Sequence, residues 1–575
     1  MNSIYIVVIS LGLFWLGYRF YSKFISKNIY QPDDSQLTPA HEFRDDVDFV
    51  PSQKHILFGH HYTSIAGAAP IIGPCIAAYW GWLPAVLWVV LGTIFIGAVH
   101  DFGALVLSIR EGGRSVANIS GTLINHRVRL MFLIFILLLV WLVLAVFSMA
   151  IAGLFVSVPS AVLPINIEII LAIIIGFLLF KKGMKALIPS LIALALLYFF
   201  IWAGTKFPLS FESLDFSPDQ ARTTWIILLF AYSSIASLLP VWLLLQPRDY
   251  INSHQLFVGL GLLFLGILIA QPIVDAPAIR LGSSGDGPPI FPFLFVTVAC
   301  GAISGFHGLV ASGTTSKQLN KMSDSRFIGY GSMLGEGVLA LASVLAAVAG
   351  IAMVDQCHLP SIGAVTDLSW AVYYDSWAHA ATNKATAFVL GGSAFLQKTG
   401  IPGSLATTIM AVLVISFAAT TLDTATRIQR FIINELGLSL KIKLFTNKYA
   451  ATAIAVIPAI ILALWSVPDP VTGELKQAGW VLWPIFGASN QMLAALTLMV
   501  LTLYFKKLNR PILPLLLPMI FIMCITIISL TLKTVDFIAA GNHLLTALNL
   551  LLIVLIFWMI TEGLLLLQNR KLNGQ

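Results

Sequence analysis

The sequence predicts an all-α polytopic membrane protein, and three observations carry that expectation. Hydrophobic residues make up 58% of the 575-residue chain and charged residues only 10%, against roughly 25% charged in soluble proteins. About fifteen apolar segments approach the length that a spanning helix needs, ~20 residues. Threaded from an outside N-terminus, those segments leave 26 of the 33 Lys and Arg on the cytoplasmic side and 7 outside, which is the bias of the positive-inside rule. A soluble enzyme, a nucleic-acid binder and a disordered scaffold are excluded by the same composition.

The first segment, 4–22, opens with the apolar run Ile4–Leu16 and has no A-x-A-like cleavage site, so it reads as a retained helix. The stretch 23–58 carries Asp33, Asp34, Glu42, Arg44, Asp45, Asp46 and Asp48 with Pro32, Pro39 and Pro51. It reads as an ordered cytoplasmic cover or a flexible linker. Spans are expected at 62–80, 84–109, 130–158, 166–180 and 186–204, with Arg110, Arg114, Arg127, Arg129, Lys181, Lys182 and Lys185 in the cytoplasmic turns. Spans at 224–245, 254–274, 291–316, 328–352 and 404–428 follow, then 449–466, 480–505, 511–532 and 545–567. The outer loops 206–222 and 355–383 hold Glu212, Asp215, Asp219, Asp355, Asp367 and Asp375, and the C-terminus is cytoplasmic. Segment 384–396 is too short to span and reads as a re-entrant or surface helix. The four cysteines, Cys75, Cys300, Cys357 and Cys524, form no CxxC pair, so no disulfide framework or zinc knuckle is indicated.

Three stretches break the lipid-facing pattern. The segment Gly59–Pro74, with His60, His61, Ser64 and Gly67 among small residues and two prolines, reads either as tight packing or as a broken helix that exposes backbone groups to a substrate. The stretch Gly301–Thr315 places Ser304, His307, Ser312, Thr314 and Thr315 inside a span. Hydroxyl oxygens suit Na⁺ and a histidine suits a proton relay, whereas Ser and Thr bonding back to their own helix is the structural alternative. The third stretch, Ser416–Arg427, holds Thr420, Thr421 and Asp423. Asp423 marks either an ion path or a structural pair with Arg427 at i, i+4 near the cytoplasmic boundary. Smaller features complete the set. Gln246–Tyr250 reads as a cytoplasmic turn whose Arg248, beside Asp249, pairs with an acidic gate residue. Asp101 and Glu336 are candidate proton carriers inside spans, and Asn490 and Gln491 are intramembrane amides suited to interhelical bonding.

Taken together, these strings resemble the carbon starvation protein A (CstA) family. The matching strings are LFGHHYTSIAGAAPIIGP at 57–74, GAVHDF at 97–102, WLLLQPRDY at 242–250 and SGFHGLVASGTTSK at 304–317. IGYGSMLGEG at 328–337, TTLDTATRIQR at 420–430 and WPIFGASNQMLAAL at 483–496 complete the set. The resemblance runs from about 50 to 500 and implies a bacterial inner-membrane transporter of peptides or pyruvate. It also implies a LeuT-like core of two inverted five-helix repeats with broken first and sixth helices around a midplane site. Two registers fit. Either 62–80, 224–245 and 291–316 are the first, sixth and eighth core helices, or 291–316 is the sixth and 404–428 the eighth. In the first, Ser312, Thr314 and Thr315 line a cation site; in the second, Thr420, Thr421 and Asp423 do.

The domain division expected is a peripheral helix at 1–25, a cytoplasmic loop at 26–58, the transport core at 59–433 and C-terminal helices at 434–575. The leading function is import of a small carboxylate or peptide by proton symport, with Na⁺ as the alternative coupling ion and membrane lipid as the surround. No GxxxxGK[ST] is present, so ATP is not the energy source; neither cofactor nor metal is expected. A membrane metalloenzyme built on His55, His60 and His61, or a nutrient sensor, are the competing classes.

Overall fold

The computed structural model describes residues 1–280, 287–359, 363–383, 385–468 and 475–572. Residues 360–362 of the outer loop 355–383, residue 384 and the last three of 434–575 lie outside the described residues.

Among the described residues twelve helices are long and apolar enough to cross a membrane, and one bent pair adds a thirteenth span. The chain starts with α1 (Ser3–Tyr30), the bent pair α2 (Lys54–Ile65) and α3 (Ala69–Trp80), α4 (Trp82–Arg110) and α5 (His126–Ser157). Then come α6 (Pro159–Phe180), α7 (Leu187–Lys206), α8 (Pro218–Leu238) and α9 (Leu245–Ala270). A fragmented span follows as α10 (Ile290–Thr297), α11 (Ala299–Ala302) and α12 (Gly305–Gly313). The remainder is α13 (Met322–Met353), α14 (Thr386–Gln397), α15 (Gly403–Leu440), α16 (Lys448–Leu464), α17 (Ala478–Lys507), α18 (Leu513–Ala539) and α19 (His543–Leu572). Each of the fifteen segments expected from the sequence overlaps helix, twelve of them a long apolar one. Those outside the twelve long helices are the bent pair, the fragmented 291–316 and α16, which has only 17 residues.

Helix boundaries follow local chemistry. Ser217 opens α8 with a capping box that it shares with Gln220. That helix ends at Leu238, because Leu239 leaves the helical region ahead of Pro240. The Gln246–Tyr250 segment is therefore not a turn closing the preceding span. It forms the first turns of α9, where Pro247 sits early enough for its missing N–H to cost little, and Gln246, Arg248 and Asp249 are buried. The stretch 23–58 is not a free linker. Its start continues α1 to Tyr30, and the rest packs down through Thr38 on the Leu319 carbonyl (2.6 Å) and Trp242 on the Asp46 carbonyl (3.1 Å).

Burial separates centre from rim. The apolar window of α17 is 94% buried, against 33% in α1, α18 and α19. The long α15 packs on α5, and α2 on α9, while α12 packs between α4 and α17. Helix α14 is largely buried against α13 and α15, so the short segment 384–396 is an internal helix and not a surface one. Two antiparallel strand pairs, Gln356–Leu359 with Gly363–Thr366 and Ser466–Pro468 with Leu475–Gln477, lie between helices.

Candidate functional site

The candidate site is organised by two interrupted spans. Between α2 and α3 the backbone leaves the helix over residues 66–68, and the two halves meet at 48°. Gly67 sits in that break, where a Cβ would lie 2.7 Å from Thr421 Oγ1 and 2.8 Å from Phe147 Cε2. Only glycine lets α5 and α15 close on the gap. The second interruption, at Ile303 and Ser304, separates α11 from α12 with extended backbone. Breaks of this kind are tolerated at membrane depth only where protein groups or a cavity take up the freed backbone polar atoms.

Around the first break lies a buried polar cluster. The His60 Nδ1 is paired with Asp249 on α9, and the Gln318 amide lies 3.3 Å from His60 Nε2. Donation to Asp249 and acceptance from Gln318 use both ring nitrogens of a neutral imidazole. Gln246 Nε2 in turn reaches Gln318 Oε1, carrying the chain of contacts to the start of α9. Ser64 Oγ is 3.1 Å from Thr424 Oγ1, and Thr421 Oγ1 donates to the Ser64 carbonyl at 3.1 Å. His61 points the other way, with Nδ1 2.8 Å from Thr315 Oγ1.

The second cluster is a fully buried triad. Asp101 on α4 receives His100 Nδ1 on one carboxylate oxygen (2.7 Å) and His307 Nδ1 on the other (3.0 Å). His307 Nε2 lies 3.1 Å from Glu336 Oε2 on α13. Two carboxyl groups thus face the two nitrogens of one ring. Both contacts are attractive only if the ring is doubly protonated or one carboxyl carries a proton. Those two arrangements carry the same number of protons and differ only in where one resides; losing that proton would set a ring lone pair against an ionised carboxylate. Above His307, the Asn490 Oδ1 accepts from Phe306 N at 2.9 Å, and Asn490 Nδ2 donates to Ser304 Oγ at 2.9 Å. Gln491 bonds the Phe295 carbonyl and Thr526 instead, an interhelical use.

The third cluster surrounds Arg248. Its Nε pairs with Glu168 on α6 at 3.0 Å and its Nη1 with Asp423, while Tyr232 on α8 donates to Asp423 at 2.7 Å. Ser416 Oγ donates to the other Glu168 oxygen at 2.8 Å. The i, i+4 pair of Asp423 with Arg427 does not form. Helix α15 runs on to Leu440, which puts Asp423 in its middle and not at a boundary, and Arg427 turns to Asp48 at 2.6 Å.

Some expected residues stand apart. Ser312 and Thr314 bond back to the carbonyls of Gly308 (2.7 Å) and Val310 (3.0 Å), which is the structural use of a helical hydroxyl. Thr420 accepts from Asn252 at 3.0 Å. The three histidines of the would-be metal box diverge: His55 faces the Phe327 ring, His60 faces Asp249 and His61 faces Thr315. Glu168, Tyr232, His100 and Gln318 were not singled out by sequence reasoning, and Gln246 only as the start of a turn. Glu168 alone carried a signal, as a lone acidic residue inside the apolar run Val162–Phe180. Several buried polar atoms here lack a hydrogen-bond partner, among them His61 Nε2, His100 Nε2, Asp249 Oδ1 and Asp423 Oδ1. Native interiors rarely leave such atoms unpaired, and those named here lie on α2, α4, α9 and α15, around the polar clusters just described.

Comparison with known proteins places the chain among relatives. The family model described as carbon starvation protein CstA matches residues 2–529. A peptide transporter CstA from Helicobacter pylori is 34% identical over 549 residues, covering 89% of this chain and 78% of that one. The peptide transporter CstA of Escherichia coli is 32% identical over 554 residues, with the same coverage. A pyruvate/proton symporter, BtsT, from the same organism is 31% identical over 578 residues, again covering 89% and 78%. Among solved structures, a mutant manganese transporter from Eremococcus coleocola superposes with a TM-score of 0.50 at 12% identity, covering 92% of this chain and 100% of that one. At that identity the likeness concerns the fold alone.

Proposed function

Because the chain belongs to the carbon starvation protein CstA family, a family of membrane transporters and not of enzymes, we propose that it imports a small carboxylate or small peptides by proton symport. The observation that carries the coupling ion is the buried Asp101–His307–Glu336 group, which sits between a broken span and two continuous helices. A carrier driven by protons needs a group at membrane depth whose proton inventory changes during the cycle. The triad is the group we assign to that role. Relatives bearing the names peptide transporter and pyruvate/proton symporter support the substrate class.

In this reading α2–α3 and α10–α12 are the two broken helices of the transport core, with the core at 59–433, a peripheral α1 and flanking helices at 434–575. The unbroken α8 counts against the register that made 224–245 the sixth core helix. Helix α17 reaches into the core through Asn490. We place the chain in the bacterial plasma membrane with its N-terminus outside and its C-terminus cytoplasmic. A cysteine at Asp215 should label from outside and one at Lys443 only from within; equal labelling contradicts the orientation.

Sodium coupling is the second reading, favoured by the oxygens of Ser64, Thr421 and Thr424 beside the α2–α3 break. Those hydroxyls are already engaged, Ser64 with Thr424 and Thr421 with the Ser64 carbonyl, so proton coupling is preferred. Uptake of labelled pyruvate and of small peptides into proteoliposomes, under an imposed proton or sodium gradient, separates the readings. Proton-driven accumulation is expected; uptake that follows sodium and ignores a collapsed proton gradient overturns the assignment.

A further inference from the structure

A cavity lies along the half of the broken helix that leads away from His60. Helix α3 forms one wall with Gly73, and α10 and α11 form the next with Thr297 and Cys300. Gly73 is packed so closely on the Thr297 carbonyl that no Cβ fits there. Trp377, Trp483 and Lys533 complete the surround. The volume is about 160 Å³, well below the roughly 300 Å³ at which pockets for drug-sized ligands begin. It suits a molecule of a few heavy atoms and is too small for an extended peptide.

Among the described residues, Lys533 is the one charged side chain on this lining. It extends from α18 on the same face as Ser529, one turn earlier, and both line the cavity. Its ammonium stands 4.8 Å from the centre of the Phe293 ring and 3.1 Å from Asp536 Oδ2. The Asp536 carboxylate is 59% exposed whereas Lys533 is 25% exposed. The partner is thus a solvated group that an incoming carboxylate can replace. The floor of the cavity is also connected to the coupling group: Cys300 Sγ lies 2.9 Å from Asn490 Nδ2, and Asn490 holds the first turn of α12, which carries His307.

We propose that this cavity is an entry site for a small monocarboxylate, with Lys533 as the residue that recognises the carboxylate. Aromatic walls around a single cation select a compact anion with a short apolar body over a cation or a zwitterionic peptide. Asp536 holds the ammonium in place between substrates and competes with them. This assignment deepens the transport reading above and rests on it for the direction of flow, but not for binding.

Titration calorimetry of the full chain in nanodiscs with acetate, pyruvate and lactate tests binding, and proteoliposome uptake tests transport. Lys533→Met is expected to weaken monocarboxylate binding and raise KM by about tenfold or more, the loss of one charge-assisted contact, with Vmax retained. Lys533→Arg should restore most of the affinity, and Asp536→Asn should tighten binding by removing the competitor. If the wild type transports pyruvate and Lys533→Met leaves KM and affinity unchanged, the site falls and the transport reading stands. If Lys533-dependent binding is seen without transport of the small carboxylates or of small peptides, the transport reading falls and the site stands. A wild-type chain that binds none of the three acids overturns the site.

Discussion

Replacing His307 with Gln is expected to abolish proton-driven accumulation, so that internal substrate rises only to the external level, while exchange of substrate across the membrane persists. Glutamine can keep a hydrogen bond to Asp101 or to Glu336, but it cannot carry the proton that makes both contacts attractive. Exchange needs only the binding site and the conformational change; accumulation needs the titrating group as well. Because a variant in a buried group can fail to fold, Glu336→Gln is the companion. It preserves the shape of the side chain beside His307 Nε2 and should give the same separation. Counterflow and gradient-driven uptake measured on the same proteoliposomes check both variants. Accumulation retained by either contradicts the role of the triad.

Arg248→Met is expected to act differently, on stability. Arg248 is buried and bridges Glu168 and Asp423, which are buried as well. Removing one member of such a group leaves uncompensated charge in the interior and costs about 3–5 kcal/mol. The variant should lose most of its monodisperse yield in detergent and melt well below the wild type. Neutralising all three, with Arg248→Met, Glu168→Gln and Asp423→Asn together, should recover a large part of that loss, because the coupled terms do not add. If the triple variant is as stable as the wild type yet inactive, the bridge serves the transport cycle. If the single variant is as stable as the wild type, the bridge carries no such load.

The parts of this molecule legible in the sequence are those written in local composition. Long apolar runs gave the helices, because a span must satisfy its own backbone bonds. The Gly and Pro content of 59–74 and 291–316 marked the two broken spans. What composition does not encode is pairing between distant positions. His60 meets Asp249 across 189 residues, and Arg248 meets Asp423 across 175. The only partner for Asp423 that lay within reach of local reasoning was Arg427, and tertiary packing sent that side chain to Asp48. The start of α9 was misread for a related reason. Gln246, Arg248 and Asp249 look like an exposed turn by polarity, yet each is buried on a partner that hydropathy cannot see. Glu168 was passed over because one acidic residue scarcely lowers the mean of an otherwise apolar window.

The measurement that tests the central claim most directly is proton movement driven by substrate alone. Proteoliposomes holding a lumenal pH indicator are given an inward pyruvate gradient with no imposed proton gradient and with the membrane potential clamped. Proton symport through Asp101, His307 and Glu336 predicts acidification of the lumen by the wild type, and none by His307→Gln under conditions where exchange is intact. Substrate entry by the wild type without lumenal acidification, or acidification undiminished in His307→Gln, contradicts it.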